Sequence, residues 1–84
     1  MSQNYYQKKP ISSYKAMVKA NYMDAYNKFA SEKSVAELID IAIDDLKHYC
    51  KNISIKDPEI ALTEREEREL EYICRNELRS FATF

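Results

Sequence analysis

Glycine is absent from this chain of 84 residues, and proline occurs only at Pro10 and Pro58. Hairpins and β-bulges rely on residues that accept positive φ, above all glycine. A sheet would have few places to turn, so β architectures are the first to be excluded. Glycine-rich phosphate loops and dinucleotide fingerprints go with them. No stretch approaches the ~20 apolar residues that a membrane span needs, and the polar N-terminus lacks the apolar segment of a signal peptide. The two cysteines, Cys50 and Cys74, are too few for a disulfide framework. Both fall on apolar helix faces, which implies free, buried thiols in a reducing compartment and a cytoplasmic location.

What the chain does have favours helix. Alanine, leucine, glutamate, lysine and arginine are plentiful, and each has high helix propensity. A chain of this length is one domain near the lower limit for a stable core. It has no room for a large substrate cavity. Chains this small commonly complete their core by oligomerising or by docking on a partner.

Residues 1–10 (MSQNYYQKKP) are polar, basic and unpatterned, and read as a flexible, tyrosine-rich arm ahead of a single helical domain over 11–84. The first helix is expected at about 12–31, started by Ser12 or Ser13 as a capping residue. Tyr14, Met17, Val18, Asn21, Tyr22, Ala25 and Phe29 make its core stripe at three- and four-residue spacing. The second helix, at about 34–53, opens on a capping box of Ser34 and Glu37. Its broad apolar stripe of Val35, Leu38, Ile39, Ala42, Ile43, Leu46, Tyr49, Cys50 and Ile53 makes it the centre of the core. Asp57 and Pro58 can cap one short helical turn, with Ile55, Ile60 and Leu62 covering one end of the core. The third helix, at about 63–82, has a second capping box in Thr63 and Glu66, and a stripe of Leu70, Ile73, Cys74, Leu78 and Phe81. The fold class expected is all-α, a small three-helix bundle.

Chemistry is harder to find. His48 is the only histidine, and it falls on the polar face of the second helix, turned away from Cys50. A nucleophile needs a base within reach, and the pattern supplies none, so no enzymatic activity and no small-molecule substrate are expected. Asp40, Asp44 and His48 share one side of that helix, but a solvated face with an i,i+4 pair explains them. The chain has three Cys and His residues in all, short of a tetrahedral zinc set. Neither a metal nor a cofactor is expected.

Two surfaces are candidates for binding. One is apolar: Ala16, Ala20 and Met23 lie away from the main stripe of the first helix, with Tyr26 between the two faces. Ile41, next to Leu38, lies outside the main stripe of the second. Met and Tyr are frequent in interfaces. These six residues point to a non-enzymatic protein–protein interaction module, a regulator, inhibitor or adaptor that docks by a helix face or self-associates, most simply as a dimer. Such a short, glycine-free chain suits a bacterial or phage-encoded regulator.

The other surface is cationic. Arg65, Arg68, Tyr72, Arg75 and Arg79 share one face of the third helix, and Lys8 and Lys9 lie in the arm. Guanidinium groups with an aromatic ring can track a nucleic-acid backbone, which makes nucleic-acid binding the alternative. The charge balance argues the other way. The net charge is −1, and the basic excess sits in residues 1–33, where six lysines face Asp24 and Glu32. Nucleic-acid binders usually carry a dominant basic field. The run LTEREERELEYI (Leu62 to Ile73) resembles the opening of the LuxR-type helix-turn-helix domain. The resemblance covers a dozen residues and does not reach a turn or a recognition helix, so it carries no function to this chain.

Overall fold

The structure is a computed structural model that describes residues 9–82. Three α-helices, α1 (Ile11–Phe29), α2 (Val35–Lys56) and α3 (Glu64–Ala82), form a bundle, with one 3₁₀ turn at Pro58–Ile60 before α3. The arm from residue 1 to 8 and the terminal Phe84 lie outside the described residues.

The helix starts show how closely local chemistry was obeyed. At α2 the Ser34 amide donates to Glu37 Oε1 at 2.8 Å, and the Glu37 amide donates to Ser34 Oγ at 3.2 Å. The same reciprocal pair recurs before α3, with Thr63 and Glu66 at 2.9 and 3.1 Å. The bond from the Ser34 backbone holds the Glu37 carboxyl below its ordinary range. Ser34→Ala removes one half of the α2 box, and thermal denaturation followed by circular dichroism should show a loss of about 1 kcal/mol.

α1 starts differently from the expectation. Its N-cap is Pro10, in extended geometry and without a side-chain hydrogen bond, so Ser12 and Ser13 lie inside the first turn. Proline's fixed φ delivers the chain into the helix, and the Ser13 amide bonds the Pro10 carbonyl at 3.0 Å. α2 runs three residues beyond the expected end at 53. The stop is set by Pro58, which disfavours helical geometry in the residue before it, rather than by the end of the apolar stripe. Asp57 does precede a short turn, but its side chain makes no cap.

One hydrophobic core joins the helices. Tyr14, Val18, Tyr22 and Ala25 of α1 meet Leu38, Ile39, Ala42, Ile43, Leu46 and Cys50 of α2, and Leu70, Cys74 and Leu78 of α3. Leu62 and Phe81 pack on its edges, and Phe81 stands edge-on to Tyr22 at 6.0 Å. Two expected core residues are exposed instead. Val35 sits in the first turn of α2 and Ile55 in the last, and Ile55 is 74% exposed, so it covers no part of the core.

Between helices, polar contacts fix the register. Asn21 Nδ2 donates to the Ala42 carbonyl at 3.4 Å. Lys15 and Lys19 of α1 both reach Glu77 of α3, at 3.6 and 2.8 Å, and Lys47 of α2 reaches Glu71 at 3.5 Å. The bond from Lys19 is the chief reason the Glu77 carboxyl is held below its usual range.

Candidate functional site

α1 turns a nearly uncharged stripe to solvent. Ala16, Ala20, Met23 and Asn27 follow one another at i, i+4, i+7 and i+11, a spacing that keeps side chains on one face, and all four are exposed. Met23 is 42% exposed and Tyr26 47%. Tyr26 leans its ring against Tyr22, 6.3 Å between centroids, which holds one edge of that aromatic in place. Charge borders the stripe on both sides, with Lys15 and Lys19 bound to Glu77 on one flank and the Asp24–Lys28 pair at 3.3 Å on the other.

The other two apolar candidates fare differently. Leu38 is not a surface residue: it is 1% exposed and belongs to the core. α2 packs against both other helices, so its buried arc is wider than that of a helix with one neighbour, and Leu38 falls inside it. Ile41 is half-buried and packs against the core. The Asn21–Ala42 hydrogen bond puts it level with Ala20, across the α1–α2 seam.

The cationic face of α3 is largely bound to carboxylates. Arg75 donates from Nη1 to Asp40 Oδ1 of α2 at 2.7 Å, and its Nε lies 3.6 Å from Glu71. The bond to Asp40 raises the Arg75 pKa further above its ordinary value. Arg65 lies 3.7 Å from Glu69, and Arg68 4.0 Å from Glu64. Tyr72 is 69% exposed, and Arg79 and Lys9 are exposed too. Lys8 is outside the described residues. The cleft between the end of α2 and the start of α3 is lined by Lys47, Lys51 and Arg68, and equally by Glu64, Glu67 and Glu71. Alternating signs leave no single-sign field there to steer a polyanion.

The Arg75–Asp40 bridge was not visible in the sequence, where Arg75 reads as one of a solvent-facing row. It stands at the edge of that row nearest α2, and periodicity does not say which edge a neighbour borders.

Both thiols are buried, whereas His48 is exposed. Burial pushes Cys50 and Cys74 each up to about 11, so at neutral pH they stay in the protonated form, which is not the nucleophile. Asp40, one of the three acidic-face residues of α2, is engaged by Arg75. Among the described residues, no group of three or more His, Cys, Asp or Glu side chains is placed to hold a metal ion, and no helix is long and apolar enough to cross a membrane.

Over the described residues the molecule is therefore a three-helix bundle with an apolar outer stripe on α1 and a face of α3 whose charges are mostly paired. No family model matches the chain, and no curated protein or solved structure matches it either.

Proposed function

We propose that this protein is a non-enzymatic interaction module of the cytoplasm, a small regulator, inhibitor or adaptor that binds protein through the outer stripe of α1. The reading is carried by one observation: Met23 and Tyr26 remain 42% and 47% exposed on a stripe that has charge only at its borders. Apolar anchors with a charged rim are how protein interfaces are commonly built, burial supplying affinity and the rim supplying selectivity. Ala16 and Ala20 let another helix approach closely, and Ile41 extends the surface across the seam. A second copy of the chain is the simplest partner.

The test is solution mass by light scattering over a range of concentrations and at two salt levels, for the wild type and for Met23→Glu. A mass above that of the monomer, little changed by salt and lost in the variant, is the expected result. Met23→Glu should leave helicity intact. Self-association that persists in the variant would sink the role given to this stripe. A monomer at all concentrations would make the partner a different protein, to be sought with a photo-crosslinking residue at position 23.

Nucleic-acid binding through Arg65, Arg68, Tyr72, Arg75 and Arg79 is the weaker alternative, because three of those four guanidinium groups already have carboxylate partners. It predicts affinity that falls steeply with salt.

A further inference from the structure

The outer face of α1 repeats at three and four residues without interruption. Ser13, Ala16, Ala20, Met23, Asn27 and Ala30 follow one another at steps of three, four, three, four and three. The mean step of about 3.5 residues is that of the a and d positions of a coiled coil. Ala30 still has helical geometry, so the row runs unbroken over about five turns. None of the six is charged, and the four in the middle are exposed. The other two helices pack on the opposite side of α1, where Tyr14, Val18, Tyr22 and Ala25 are buried. The row thus has the form of a coiled-coil seam that opens to solvent.

The order of sizes along the seam selects the strand that fits it. The steps read the same from either end, so an antiparallel second copy sets its Met23 opposite Ala20, its Asn27 opposite Ala16 and its Ala30 opposite Ser13. Each of the four central layers then joins one small side chain to one larger one, and the two helices keep an even spacing along the contact. A parallel copy would stack Ala16 on Ala16 and Ala20 on Ala20, then Met23 on Met23 and Asn27 on Asn27. That wedge cannot close at both ends. The flanks agree with the antiparallel choice. Antiparallel coils bring like flanking positions together, so Lys19 of one copy faces the uncharged Tyr26 of the other, and Asp24 faces Met17. No like charges meet. The attraction that a parallel pair would draw from Lys19 and Asp24 is already taken within one chain, by Glu77 at 2.8 Å and Lys28 at 3.3 Å.

We propose that α1 pairs with α1 of a second copy, antiparallel, about a two-fold axis that crosses the seam between Ala20 and Met23. The proposal rests on the α1 stripe as the binding surface and adds the partner, its direction and its register. A two-fold contact of this kind is self-complementary and closed, so assembly stops at the dimer. One helix face per chain is a small contact, and the dimer is correspondingly reversible.

The experiment is disulfide trapping in a glutathione buffer at millimolar protein, with an equimolar mixture of two full-length variants, Ala16→Cys and Asn27→Cys. Cys50 and Cys74 are buried and stay out of the exchange. A bridge needs Cα atoms within ~7 Å, which the antiparallel pair provides between position 16 of one copy and position 27 of the other. Two copies of the same position are then eleven residues apart in level, about 16 Å along the axis. The mixed disulfide is expected to make up nearly all of the trapped dimer, against half for random pairing, and Met23→Glu added to both chains should remove it. Same-site disulfides in excess would reveal a parallel pair and overturn the proposal, while leaving the stripe as the interface. Random pairing that Met23→Glu does not change overturns it as well. So does a monomer by light scattering at the same concentration, and the stripe is then tested by photo-crosslinking at position 23 alone.

Discussion

Leu38→Ala should lower the free energy of unfolding by about 3 kcal/mol, measured by chemical denaturation, with a loss independent of protein concentration. The side chain is almost wholly buried among residues of the core. Truncation removes apolar burial and leaves a cavity that two rigid helices close only in part. For a domain of this size, whose total stability is of the order of 4 to 12 kcal/mol, that is a large fraction. Met23→Ala, on the outer stripe, should change monomer stability by no more than about 0.5 kcal/mol. The contrast separates core from surface. Were Leu38 part of an interface, its substitution would lower association and the loss would fade on dilution.

The second large effect is alkaline. Cys50 and Cys74 ionise near 9 as ordinary thiols and are raised to about 11 in the fold, chiefly because burial removes water from the thiolate. A neighbouring Glu67 adds to the shift at Cys50, and Lys15 opposes it at Cys74. The folded value lies above the unfolded one, so the unfolded chain releases its thiol protons first. Stability from this source is complete below about pH 9 and is lost as the pH rises toward 11. With two units of separation, each thiol contributes about 2 kcal/mol of loss by pH 11. Tyr14, also raised by burial and packed near Cys50, acts in the same direction. Urea midpoints between pH 8 and 11 should fall steeply for the wild type and less steeply for Cys50→Ala/Cys74→Ala, even though the variant starts lower. Thiolate absorbance in the folded protein rising with a midpoint near 9 would contradict the burial argument.

Much of the fold could be read from the order of residues, and the reasons for success and failure are specific. The capping boxes at Ser34 and Thr63 are local chemistry, complete within four residues, and nothing elsewhere in the chain overrides them. The stripes on all three helices follow from the 3.6-residue period, and most of their members are buried. The errors came where a side chain's fate depends on a distant neighbour. Leu38 fits both the core stripe and the outer row in the sequence, because the width of α2's buried arc depends on its contact with two helices. Ile55 and Val35 fit the stripe of α2, yet they lie in its last and first turns and are exposed. The outer stripe of α1 was legible as an apolar row facing away from the core. The offset between the starts of α1 and α3 was not, because it is a matter of register, set by pairs such as Lys19–Glu77 that no single-helix pattern reveals.

The missing glycine has an effect on the state that is never seen in the structure. Among the described residues no backbone takes a positive φ. The reversal from α1 to α2 uses helical geometry at Ala30 and extended geometry at Ser34. Over the described residues the native backbone therefore never needs the freedom that glycine provides. The unfolded chain, denied that freedom at every position, samples fewer conformations than an average sequence of its length. Folding then has less disorder to remove, and a small core is enough to hold three helices together.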